Sequence, residues 1–468
     1  MSVAAAVPVT APEKRVDNRW LTHMRATLLL GVPLVGAQLA QVAIHTTDVI
    51  LVGWLGTTEL ASVVIATQLY FIAFIFGSGF TSAIVPMVAQ AIGHGDTTGV
   101  RRSVRMGLWV VLAYCVLVSP ILWFSEPLLL AFGQEPDVAA TAQTYLRIAQ
   151  WGIFPALGFF ALRAFVTGLE KGGMVLFVTL GMFAINLIVA YVLIFGHFGA
   201  PQLGLRGAAI AAVCANLTGF VIIVAYIEVL KDTRSYEIFV RFWRPDWGMI
   251  REVFVLGLPI SFTILAETSL FAAAALLMGM IGKLELAAHG IALQLASIAF
   301  MIPLGLAQVA TVRVGLAHGR RDLLGVRRAA LSALVIGAVF TMIGGLLFMG
   351  LPRFFGGLFL DTSKPDADMV LGLATPLIML AGVFQLVDGL QAVGAGILRG
   401  LKDTTIPMIL ALIAYWPIGF VCAWVFAFPL GLRGEGVWIG FVLGLAAAAA
   451  FLCGRFWMLV RHQKETAR

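Results

Sequence analysis

Three carboxylates occupy positions where a charge is costly. Of the 24 acidic residues, only Asp48, Glu267 and Asp388 fall midway along apolar stretches. Each stretch is long enough to cross a bilayer as a helix, which takes about 20 apolar residues. A carboxylate at that depth costs about 2.5–3.5 kcal/mol on insertion scales, so it needs a task. The chemistry such groups perform is the handling of a proton, a metal cation or a cationic substrate. This points to cation-coupled transport.

Their neighbours sharpen that reading. Gln38, Gln41, His45 and Asp48 are spaced i, i+3, i+7 and i+10, which gathers them on one narrow helical face. Lipid offers polar groups no partners, so the stripe should face a cavity or pack against a neighbouring helix. The two glutamines alone favour packing; Asp48 among them favours the cavity. Gln385, Asp388 and Gln391 repeat the pattern at i, i+3 and i+6, and Thr263 and Thr268 flank Glu267. If Glu267 and Asp388 approach each other, they titrate as a pair. Such a pair could hold one proton near neutral pH or bind a hard cation such as Na+ through oxygen ligands; the bland alternative is a structural hydrogen-bonded pair. His45 with Asp48 makes only an HxxD pattern, so a relay or hydrogen-bonding role is expected before metal ligation. Asn186, midway along another apolar stretch, fits either role, and Gly394, Gly396 and Gly400 suggest tight packing. There is no Walker motif, HExxH or GxSxG, so ATP hydrolysis and familiar hydrolase chemistry lack support. The four cysteines are scattered without metal spacing.

The chain that must position these groups is 60% hydrophobic and 12% charged, with a mean hydropathy of +0.98. A soluble domain carries roughly twice that charge fraction. Apolar stretches run near 27–52, 61–90, 106–124, 142–167, 174–196, 206–230, 253–280, 286–312, 329–350, 369–398, 405–429 and 435–460. The expected fold is therefore all-α and polytopic. Its parts are an N-terminal segment 1–26, a first lobe 27–230, a polar linker 231–252, a second lobe 253–460 and a tail 461–468. Of the 31 Lys and Arg residues, 25 fall on the side of the N-terminus. By the positive-inside rule both termini are expected in the cytoplasm. The net charge of +7 is dispersed among short loops, so nucleic acid is not an expected partner.

The two halves repeat. GVP at 31–33 matches GLP at 257–259, LVGWLGTTELASVVIATQL at 51–69 matches LMGMIGKLELAAHGIALQL at 277–295, and GVRR at 99–102 recurs at 325–328. All three pairs keep one constant offset, and LGLRG at 203–207 recurs at 430–434, a single position beyond it. Six spans per repeat is an even number, so the halves share one orientation, with a pseudo-twofold axis along the membrane normal and a cavity between them. The same offset counted back from Glu267 gives Gln41, and counted forward from Asp48 gives Ala274. Each half thus owns its acids.

PxxxxQxxQxxxxxxD on the first helix, PISFTILAETSLFAAAALL on the seventh and FQLVDGLQAVGAGILRGLKDT across the tenth resemble multidrug and toxic compound extrusion (MATE) transporters. The likeness is to the NorM-like bacterial branch and runs from about Arg25 to Arg461. It implies an antiporter of the bacterial inner membrane that exports cationic or amphipathic compounds in exchange for Na+ or H+, with no cofactor and as a monomer. By residue, it implies that Glu267 and Asp388 are the cation-site carboxylates of the second lobe, holding Na+ if Na+ is the coupling ion. It implies that Asp48 is the acid of the first lobe and Asn186 its polar partner. Two positions depart. A tyrosine that adds a cation contact on the eighth helix is here Phe300, and an aspartate one turn after the asparagine is here Ala190. Three rivals remain. A lipid-linked saccharide flippase of the same superfamily would call for buried Arg or Lys, a membrane enzyme for GxGD or HxxxxD, and a sensor for a signalling domain.

Overall fold

The computed structural model describes residues 20–54, 57–360 and 366–466, with the side chains of 57–61 and 463–466 aside. Most of the expected N-terminal segment, Lys364 among the topology-setting residues, and the last two residues lie outside it. Twelve helices are long and apolar enough to cross a membrane among the described residues. They are α1 (Trp20–Gly53), α2 (Thr57–His94), α3 (Thr97–Trp123), α4 (Pro136–Gly168), α5 (Gly172–Phe195), α6 (Leu205–Val229), α7 (Trp247–Ile281), α8 (Lys283–Gly319), α9 (Leu323–Gly350), α10 (Ala367–Gly400), α11 (Thr405–Ala427) and α12 (Arg433–Thr466). No strand occurs among the described residues. In a bilayer every backbone N–H and C=O must be paired within the chain, and the helix does this segment by segment.

The helices form two lobes, α1–α6 and α7–α12. In the first, α1 packs on α5, α5 on α6 and α2 on α4; in the second, α10 packs on α8, α9 and α12. The repeat is visible in local chemistry. Asp96 caps α3 by accepting from Gly99 N at 2.8 Å, and Asp322, its equivalent in the repeat, caps α9 by accepting from Gly325 N at 2.8 Å. Pro33 inside α1 and Pro259 inside α7 keep the same offset.

Residues 231–252 differ from a plain polar linker. A short helix (Lys231–Arg234) and a run of turns follow α6, and α7 already begins at Trp247, capped by Asp246. Tyr236, Phe239 and Phe242 pack on the core of the first lobe. Lys171–Asp232 (3.2 Å), Arg101–Glu237 (2.6 Å) and Arg102–Asp246 (2.5 Å) tie it down.

The lobes meet through α1 and α2 on one side and α7 and α8 on the other. Among the described residues, side-chain bonds across this seam cluster toward the end bearing the N-terminus. Arg313 Nη1 donates to His23 O (2.6 Å) and Thr27 Oγ1 (2.5 Å), and Gln90 Nε2 donates to Gly400 O (2.9 Å). Ser261 Oγ donates to Phe76 O (2.6 Å) near the middle. At the same end Gly319 lies so close to α2 that a Cβ there would overlap the Gln90 carbonyl oxygen. Asp48 lies ten residues, about 15 Å of helix, beyond Gln38 and so on the far side of this seal.

Candidate functional site

The second lobe places its acids together. Asp388 is 3% exposed on α10, and its Oδ1 has no hydrogen-bond partner. Glu267, half-buried on α7, lies within range of its charge. Arg399, in the last turn of α10, lies within range of the Glu267 charge, and Tyr415 lies within range of all three charges. The glutamines around Asp388 take separate partners. Gln385 Nε2 donates to Ala296 O on α8 at 2.9 Å, and Gln391 Nε2 donates to Tyr415 Oη at 2.5 Å. Gln391 Oε1 is buried without a partner, as Asp388 Oδ1 is. Two buried acceptors one turn apart, both lacking donors, are an arrangement that a proton or a hard cation satisfies. The two threonines do not join in: Thr263 Oγ1 donates to Pro259 O at 2.8 Å and Thr268 Oγ1 to Ile264 O at 3.0 Å, each within its own helix.

Local structure explains how Tyr415 arrives there. Residues Ala414–Phe420 of α11 form a π-helical turn that contains Pro417. Proline lacks the N–H that would close an α-helical bond, and wide turns of this kind recur at functional sites. On α10, Gly396 allows α8 so close that a Cβ would overlap the Ala307 carbonyl oxygen, and Thr311 Oγ1 donates to Gly396 O at 2.8 Å. The tight packing expected of the α10 glycines is present at Gly396 and Gly400. Phe300 is half-buried on α8, one turn beyond Ala296.

The first lobe treats its acid differently. Asn186 Nδ2 donates to both oxygens of Asp48, at 3.0 and 3.3 Å. Tyr145 on α4 is buried within range of the Asp48 charge, and Tyr70 on α2 lies beside Tyr145. Ala190, one turn after Asn186, is fully buried. The α1 stripe does not act as one surface. Gln38 is buried and accepts from Arg163 Nη2 at 3.1 Å, Gln41 Oε1 is buried without a partner, and His45 is exposed.

Sequence reasoning missed Tyr415, Arg399, Tyr145 and Tyr70. A tyrosine inside AYWPIGF was a usable signal, because Pro417 marks a broken helical turn; the other tyrosines sit in unremarkable apolar surroundings. Arg163 and Arg399, which count among the 25 basic residues on the side of the N-terminus, both lie inside membrane-spanning helices. Arg163 is 4% exposed within α4 and bridges the lobes, donating to Gln38 and, at 2.7 Å, to Gln308 Oε1 on α8. The spans therefore hold a buried arginine as well as acids. Arg163 rests on neutral amides, and Arg399 lies within range of the Glu267 charge. His289, 1% exposed, accepts from Trp438 Nε1 at 3.2 Å among Phe384 and Phe441, so this aromatic cluster is core. No group of three or more His, Cys, Asp and Glu fit to hold a metal occurs among the described residues.

The MatE family model matches residues 33–192 and 259–425, one match in each lobe. The chain is 62% identical to the probable multidrug resistance protein NorM of Rhizobium meliloti (strain 1021), over 95% of this chain and 96% of that protein. It is 56% identical to the probable multidrug resistance protein NorM of Agrobacterium fabrum, over 97% of each. The eukaryotic MATE transporter AtDTX14 shares its fold with a TM-score of 0.84 at 23% identity, covering 97% of this chain and 100% of that one. A MATE transporter of the MOP superfamily described as outward-facing does so with a TM-score of 0.85 at 22% identity, covering 95% and 97%. A match in each lobe, extended by relatives that agree over nearly the full length, makes this chain a member of the MatE family, a multi-pass membrane transporter and not an enzyme.

Proposed function

We propose that this protein is a secondary multidrug exporter that expels cationic and amphipathic compounds in exchange for Na+ or H+ by alternating access. The observation that carries this reading is the pair of buried acceptors without donors, Asp388 Oδ1 and Gln391 Oε1, beside Glu267. Coupling ion and drug cation compete for these oxygens, so one leaves as the other arrives. Exchange requires each ligand to prefer a different conformation, since equal affinity for both states moves nothing. The drive is the ion gradient, together with about 2.3 kcal/mol per charge per 100 mV of membrane potential. No cofactor takes part, and one chain suffices.

The names of the NorM relatives support drug resistance as the task, and their bacterial sources together with the twelve spans support a bacterial membrane, which we take to be the inner one. With both termini in the cytoplasm, the bonds of Arg163, Arg313 and Gln90 hold the lobes together at the cytoplasmic end. The test is ethidium efflux from proteoliposomes under a Na+ gradient and, separately, a pH gradient, with Glu267→Gln and Asp388→Asn beside wild type. Drive by one gradient that both variants lose supports the reading and names the ion. Correctly inserted protein that exports nothing under either gradient would sink it.

A further inference from the structure

Outside the transport site, the GVRR repeat leads to two surfaces that the lobes finish differently. In the first lobe Arg101, in the first turns of α3, is answered by the linker. Its guanidinium pairs with Glu237, Arg105 Nη1 donates to Arg241 O at 3.1 Å, Trp109 Nε1 donates to Phe242 O at 2.9 Å, and Phe242 stacks on Trp109. A carboxylate and an apolar segment thus cover this face. The repeat equivalent of Arg101 is Arg327 on α9, and among the described residues no carboxylate pairs with it.

The C-lobe surface instead forms a groove of about 490 Å3 between the start of α9 and the end of α12, lined by Leu323, Leu324, Arg327, Trp457, Val460 and Arg461. Its chemistry has two ends. Arg327 lies over the Trp457 ring, 5.6 Å from its centre, and Arg461 follows Trp457 by one helical turn. Among the described residues neither guanidinium has a carboxylate partner, and no acidic residue lines the groove. Leu324 is 46% exposed beneath them. The corresponding first-lobe positions are Thr97 and Thr98, both exposed. A leucine pair stands where the repeat has threonines, so this surface is the more apolar of the two. Both helix ends stand where spans leave the bilayer, the level at which Trp and Arg anchor.

The geometry points to a binding site for an anionic phospholipid, its phosphate between Arg327 and Arg461 and an acyl chain along Leu323, Leu324 and Val460. Basic grooves between spans hold anionic headgroups by charge and shape together. The lipid supplies in the second lobe what Glu237 and Phe242 supply in the first, a negative group for the arginine and an apolar cover for the helices.

The test uses full-length protein in mild detergent, mixed with dioleoylphosphatidylglycerol or dioleoylphosphatidylcholine and read by native mass spectrometry and thermal unfolding. Wild type should retain phosphatidylglycerol and unfold at higher temperature with it, and phosphatidylcholine should do neither. Arg327→Gln/Arg461→Gln should lower the retained fraction at least about fivefold and remove the thermal gain. Arg320→Gln/Arg321→Gln, in the exposed turn outside the groove, should behave as wild type. Equal retention by the groove variant overturns the proposal, as does an equal loss in the turn variant. Displacement by soluble glycerol 3-phosphate alone would mark a free-anion site and also overturn it. A chain ending at His462 should bind as wild type; tighter binding would mean that the tail is the groove's occupant and would equally overturn it.

Discussion

In the first lobe both oxygens of the acid share one donor; in the second, one acid oxygen has none. Asn186 Nδ2 donates to both oxygens of Asp48 within the first lobe, while the Asn186 Oδ1 is buried without a partner. Asp388 keeps an oxygen without a donor, stands beside a second carboxylate, and has for company a glutamine oxygen in the same condition. A buried carboxylate held by a donor resists change, because removing the donor costs the full desolvation of the group. One with an oxygen left without a donor, next to a like charge, is suited to take up a proton or cation. The repeat built two similar bundles, and this difference is the ground on which we propose exchange for the second and a supporting role for the first.

The largest effect should come from Asp388→Asn. An amide cannot hold a cation by charge, so drug efflux should fall by roughly tenfold or more, the equivalent of about 1.4 kcal/mol of lost differential binding. Asp48→Asn should fall less, since the contact to Asn186 can persist between two amides. Parallel initial-rate measurements in proteoliposomes decide; an ordering with Asp48 more sensitive reverses the assignment of roles.

Asn186→Ala tests the first lobe alone. It strands the Asp48 carboxylate in a buried site, at a cost of about 1–3 kcal/mol. The melting temperature should drop by several degrees, and efflux by a few-fold at most. Efflux abolished with the melting temperature unchanged would show that Asn186 takes part in exchange. Tyr415→Phe probes the second lobe in the same way, by a lost partner. Gln391 loses its acceptor, for about 0.5–1.5 kcal/mol, and the coupling ion's half-saturating concentration should shift by a few-fold while maximal efflux holds. An unchanged ion dependence would place Tyr415 outside the ion's path.

The frame of this comparison was legible before any coordinates. Apolar run lengths give the spans because lipid forbids unpaired backbone, and the constant offset between the halves gives the lobes because a repeat preserves its caps and kinks. The three acids were legible because a charge in an apolar run is too costly to stand there without a task. Their surroundings were not. Tyr415 reaches Gln391 through a π-helical turn, and Arg163 reaches Gln308 across the seam between lobes. Both contacts depend on how helices meet, which helical periodicity along one span does not contain. The α1 stripe shows the limit from the other direction: four residues on one face end with one exposed, one without a partner and two paired within the lobe.

The smallest effect concerns how the lobes are joined. Asp246 caps α7, accepting from Met249 N at 3.1 Å, and pairs with Arg102 at 2.5 Å. Partial burial pushes its carboxyl up, but the Met249 N–H and the Arg102 guanidinium outweigh that and hold it below the ordinary value of 3.8. A carboxyl lowered in the folded state adds stability above its ordinary pKa and loses it as pH falls through the lowered value. Asp246→Asn keeps a good helix cap and removes only the charge, so the cost should be about 0.2–1 kcal/mol, the worth of a half-exposed ion pair. The melting-temperature difference from wild type should stay level between pH 5 and pH 8, where the native carboxyl is ionised throughout, and should shrink in 1 M salt as screening takes hold. A difference that grows or vanishes within that pH range would mean that the linker is fastened by a group other than Asp246.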